Sequence, residues 1–228
     1  MEYYLSNPEI DSKIKEIKIK IRLSMNGVVS DQMINSGIIY KKNFGVSIPR
    51  LKELAKDYTQ NHDLAQRLWS LGIRETMILA TLIEPAEKFT YELAQQWVKD
   101  FNQIEIIEQS TMNLFSKLSF SNRLAVEWVQ SENYWEQITG FILSARAFGN
   151  FDKNTVVKII EKGLDLSKTD NLHLYKSIAL CLSRFCRIDK ETAMLIQTKT
   201  EILSNSPIHS QQFIFNEVKQ EILFLDIL

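Results

Sequence analysis

Apolar residues recur at intervals of three and four along most of the chain. Near the N-terminus Ile10, Ile14, Ile17 and Ile21 fall at i, i+4, i+7 and i+11, while Lys13, Lys15, Lys18, Lys20 and Arg22 lie largely outside that stripe. The spacing predicts an amphipathic helix with one buried face. A short helix near Ser30 to Ser36 follows. Phe44-Gly45-Val46-Ser47-Ile48-Pro49 then reads as a turn opening the next helix, with Ser47 as N-cap and Pro49 in the first helical turn, where its missing N–H costs no hydrogen bond. That helix runs to about Tyr58. Only seven Gly and four Pro interrupt the pattern, so helices are expected nearly throughout.

Beyond Tyr58 the pattern repeats. Trp69 precedes Glu75, Trp97 precedes Glu105 and Trp128 precedes Glu136; each Trp closes one helix and each Glu sits early in the next. Successive tryptophans of this set are 28 and 31 residues apart, near the period of helical-hairpin arrays. Later hairpins pair 153–165 with 171–186 and 189–203 with 208–225. This is the layout of an α-solenoid, in which stacked hairpins share a core and leave a curved face free for binding. A non-repetitive helical bundle is the alternative. No linker-like composition separates one half from the other, so residues 1–228 are expected to form a single domain.

The segment Tyr40-Lys41-Lys42-Asn43-Phe44-Gly45-Val46-Ser47-Ile48-Pro49-Arg50, the amphipathic Leu51 to Tyr58, the Leu68-Trp69 hairpin and Ser131-Glu132-Asn133-Tyr134-Trp135 at a helix start together resemble the DNA alkylation repair family, the AlkD-like alkylpurine DNA glycosylases. The resemblance covers most of the chain. It implies an all-α fold, a right-handed α-α superhelix of HEAT-like hairpins whose concave face holds duplex DNA. Members release N3- and N7-alkylated purines without a cofactor.

Such a base is already a cationic leaving group, so bond cleavage builds positive charge on the sugar. A nearby carboxylate stabilises that charge and can position a water, and aromatic faces beside the lesion add cation–π attraction. The family's Trp-x-x-x-Asp element falls on Ile104 to Glu108, which makes Glu108 the catalytic carboxylate and puts Ile104 in place of the tryptophan. The family's arginine falls on Ile138 and its second tryptophan near Leu180. Ile104, Ile138 and Leu180 hold substrate-binding positions without a π-face or a charge, so excision is expected to be weak or lost. Read from the helix alone, Glu105 and Glu108 form a solvated acidic pair on a helix from about Gln103 to Leu118, beside a core stripe of Ile104, Ile107, Thr111, Leu114 and Leu118.

The repeated Trp69, Trp97 and Trp128 are expected to pack between repeats, leaving Trp135 as the aromatic candidate for a substrate contact.

The net charge of −1 removes the basic average of a non-specific nucleic-acid binder, and any DNA contact must be local. Residues 1–60 hold ten Lys and Arg against seven Asp and Glu; residues 61–120 hold five against eight. Lys13, Lys18, Lys20, Arg22, Arg50, Lys52 and especially Lys41 and Lys42 form the basic N-terminal set. Arg146, Lys176 and Arg184, on second helices of later hairpins, are the stronger candidates for phosphate contacts.

Cys181 and Cys186 stand about 140° apart around a helix and read as buried apolar residues. His62, His173 and His209 fit no metal-ligand spacing. Neither a metal nor a cofactor is expected. No apolar run suits a membrane span and the N-terminus lacks a secretory layout, so a cytoplasmic monomer is expected. Duplex DNA is the expected partner; a non-catalytic scaffold binding protein partners is the alternative.

Overall fold

The computed structural model describes residues 6–226, so the first five residues of the segment read for a leader lie outside it. Among the described residues there are thirteen α-helices, six short 3-10 helices and one isolated parallel bridge, between Lys42 and Ile73. The chain packs as two compact units: residues up to Ala94 with 102–118, and residues 95–101 with 119 onward. No helix among the described residues is long and apolar enough to cross a membrane.

The first unit opens with α1 (Pro8–Leu23). Asn7 caps it, Pro8 stands in its first turn, and Ile10, Ile17 and Ile21 of the expected stripe are buried. After α2 (Gly27–Asn35), Ser47 caps α3 (Ile48–Ala55) by accepting from the Arg50 N–H, as its sequence predicts; the helix stops three residues before Tyr58. α4 (His62–Ser70) and α5 (Arg74–Ile83) form the first hairpin of the repeat, and α5 is buried around almost its whole circumference. α6 (Tyr91–Trp97) leads to α7 (Ile104–Asn113). The expected helix to Leu118 breaks at Leu114 (φ −128°, ψ −62°), and the 3-10 turn that follows buries Phe115 against Phe89, ring centroids 5.9 Å apart.

In the second unit α8 (Ser121–Val129) and α9 (Tyr134–Arg146) form one hairpin. α10 (Lys153–Asp165) pairs with α11 (Leu172–Phe185), and α12 (Lys190–Thr200) with α13 (His209–Phe224), close to the expected bounds. Trp69, Trp97 and Trp128 are all buried, and the Trp128 indole donates to Gln95 at 3.0 Å. Repeated large side chains at helix ends thus fill space between helices.

Two glycines permit close backbone approaches. Gly45 adopts φ +68°, and a Cβ there would meet the Asn26 carbonyl oxygen at 2.1 Å, because the turn lies directly on the start of α2. At Gly140 a Cβ would lie 2.5 Å from the Val129 nitrogen, where α9 meets α8. A Cβ at Gly149 would meet nothing within 4 Å beyond its own chain neighbours and local helical backbone. Gly45→Ala and Gly140→Ala are each expected to lose about 1–3 kcal/mol of stability, whereas Gly149→Ala should change it by less than about 0.5 kcal/mol. Urea unfolding of the three variants checks this.

Candidate nucleic-acid interface

In the first unit the 40–46 segment is held by buried charge. Glu75, with no exposed surface, accepts at Oε1 from the Phe44 and Val46 N–H groups (3.1 and 3.3 Å) and from Arg74 (2.9 Å). The Arg74 guanidinium also donates to the Val46 carbonyl and grips Glu105 through two contacts of 2.6 and 2.7 Å. Tyr40 completes the cluster by donating to Glu105 at 3.0 Å; burial, then the Glu105 charge, push its phenol well above the ordinary range. Lys42 is fixed by its carbonyl, which accepts from the Arg74 N–H at 3.0 Å, and by its ammonium 4.9 Å from the Phe44 ring centroid. Lys41 beside it is exposed.

This cluster divides the expected acidic pair. Glu105 is not solvated: it is tied to Arg74 and Tyr40 with 19% of its side chain exposed. Glu108, one turn on, is exposed, while Ile104 is half-buried at the start of the same helix. The face of α7 opposite Glu108 is more fully buried than the sequence stripe suggested, since Ile106, Gln109, Ser110 and Asn113 join Ile107 and Thr111 in the interior. Ile138 sits in the fully buried stretch of α9 and presents no surface to a ligand.

In the second unit α11 and α13 run in the same direction. Tyr175 meets His209 and Phe213 near their N-termini, and Arg187 donates to Glu221 near their C-termini. Between them lies a groove of about 610 Å³. Its α11 wall carries Lys176, Leu180, Arg184 and Arg187; its α13 wall carries Phe213, Glu217, Glu221 and Phe224. Three of the residues expected at a site, Lys176, Leu180 and Arg184, therefore share one groove. Lys176 and Arg184 have no acidic partner among the described residues, whereas Arg187 and Glu221 neutralise each other. Leu180 is 41% exposed and Phe224 77%, so apolar surface faces the groove between the cations. Arg146, in the last turn of α9, is exposed but outside the lining of this groove.

Phe213 and Phe224 escaped the sequence reading. Their signal was available: Phe213, Glu217, Gln220 and Phe224 recur at i, i+4, i+7 and i+11 beside the core stripe of Ile214, Val218 and Ile222, marking a second, outward stripe on α13.

Trp135 is half-buried at the start of α9. It lies between Tyr134 (4.8 Å) and His173 (6.2 Å, planes 27° apart), and joins the first turns of α9 and α11. His62 holds a different contact, 2.6 Å from the buried Glu84, whose carboxyl burial pushes upward. The third histidine, His209, lies edge-on to Tyr175. Cys181 and Cys186 are buried free thiols, and burial raises both pKa values, that of Cys186 to about 12.

The model of the DNA alkylation repair enzyme family matches residues 29–191, well over half of the chain. The protein belongs to that family. A solved structure superposes with a TM-score of 0.74 at 16% identity, over 90% of this chain and 94% of the other. It is described as representing a new family of proteins related to the HEAT-like repeat DNA glycosylases with affinity for branched DNA structures. The likeness establishes the HEAT-like fold. No curated protein matches the chain. The family match takes in the turn at Phe44, Glu108, Trp135 and the α11 wall of the groove; α13 lies beyond it.

The buried charges and exposed Glu108 differ in their expected effect on stability. Arg74→Met leaves two carboxylates short of their cation and should cost about 3–5 kcal/mol. Glu108→Gln should change stability by less than about 0.5 kcal/mol. Thermal and urea unfolding of both variants test the difference.

Proposed function

We propose that this member of the DNA alkylation repair enzyme family binds DNA through the α11–α13 groove and excises alkylated bases weakly or not at all. The observation that carries the DNA reading is the pairing of Lys176 and Arg184, both without acidic partners, on one wall of that groove. Cations in this arrangement suit successive backbone phosphates, while Leu180, Phe213 and Phe224 offer apolar surface to bases or sugars. Family membership, and a structural relative described as having affinity for branched DNA, support the same ligand.

The reading of weak catalysis rests on Glu108 and its companions. Glu108 is the carboxylate proposed to act, but it is exposed, and a solvated carboxylate stabilises a developing cation far less than one in a water-poor site. Ile104 has no π-face and Ile138 is buried. Trp135 remains the aromatic group proposed to touch substrate, and Arg146 and Lys41 are proposed as further phosphate contacts. A protein-binding scaffold is the second reading, favoured by the exposed Ile202, Leu223 and Phe224 of the last hairpin.

Equilibrium binding of the full chain to duplex and four-way-junction DNA over a salt series tests the first claim. Log affinity should fall linearly with log salt, and Lys176→Gln/Arg184→Gln should reduce the slope by about 1 to 2, at ~0.9 per duplex phosphate. No binding at low salt would favour the scaffold. For catalysis, release of N3- and N7-methylpurine is expected to be far slower than by an active family glycosylase, with the residual rate falling at least about tenfold in Glu108→Gln. Rapid release would contradict impairment, and an unchanged variant would remove Glu108 from the mechanism.

A further inference from the structure

The basic N-terminal portion contains two kinds of cation. Lys13 pairs with Glu9 at 2.6 Å, Lys20 with Glu16 and Asp57 at 2.8 and 2.9 Å, and Arg50 with Glu53 at 2.9 Å. Lys18 and Arg22, one turn apart on α1, have no acidic partner among the described residues. They converge with Lys42 on a pocket of about 100 Å³ that also takes in Phe44, Ile73 and Thr76 and is lined by no carboxylate.

The geometry points to a site for one phosphate group, and we infer that it receives a backbone phosphodiester of bound DNA. The pocket is small enough to favour a compact oxyanion over a base. Lys18 and Arg22 stem from one helix and Lys42 from a segment fixed by the bridge to Ile73 and by the Phe44 ring, so two separate elements bring their cations to one pocket. Three like charges around one concavity repel one another, and an anion between them removes that repulsion. The negative C-terminal end of α1 accounts for Arg22 in its last turn, but not for Lys42, which arrives from another element. The choice of DNA as source of the phosphate rests on the proposed function; the anion pocket itself does not.

Amide NMR spectra of the full chain, titrated with inorganic phosphate at constant ionic strength, test the pocket. Saturable shifts are expected at Phe44, Ile73 and Thr76 and should vanish in Lys18→Gln/Arg22→Gln; no saturable shifts in the unaltered protein would overturn the site. In the DNA salt series the same double variant should lower the slope by about 1, whereas the charge-matched Lys56→Gln/Lys88→Gln, at exposed lysines outside the pocket, should not. Equal slopes for the two double variants would overturn the assignment to a DNA phosphate. Phosphate shifts in a chain that binds no DNA would overturn that assignment together with the DNA reading. DNA binding without phosphate shifts would overturn the pocket alone.

Discussion

A carboxylate sealed from water constrains the first unit of this protein. Glu75 has no exposed surface, and an isolated buried charge would be prohibitively costly, so the chain must bring donors to it. It does so with Arg74 and with the N–H groups of Phe44 and Val46. Those contacts set the path of the turn, and the path forces Gly45 against the start of α2, where no side chain fits. They also place the Lys42 carbonyl on Arg74 and thereby its ammonium over Phe44. One electrostatic requirement in the interior thus decides where a surface cation stands.

The same cluster separates two uses of acidic residues. Glu75 and Glu105 hold structure: both face Arg74, and Glu105 also accepts from Tyr40. Glu108 is left in solvent one turn away, where it costs the fold nothing and gains little electrostatic strength. The internal ion network of the first unit therefore makes no use of Glu108, which stays free of structural duty beside it.

The helical repeat was legible because its signals are local. The Trp-then-Glu junctions, the Ser47 cap and the hairpins of the C-terminal half follow from periodicity and capping, and the structure places them close to the expected bounds. The break at Leu114 was not legible, since burial of Phe115 against Phe89 overrides a continuous apolar stripe. Site geometry was legible only in part. Lys176, Leu180 and Arg184 share a helix face, which spacing reveals, but the Phe213 and Phe224 wall opposite them depends on how α13 packs on α11. Sequence counting also could not tell Lys13 and Lys20, which are paired, from Lys18 and Arg22, which are not; that distinction comes from which carboxylates lie within reach.

The dependence of the turn on buried charge is most directly tested by hydrogen exchange at the Phe44 and Val46 amides. If the Glu75 carboxylate holds them as described, both should exchange as slowly as amides in the middle of α5, through opening of the unit's core. Exchange at the rate of an exposed loop would contradict the account.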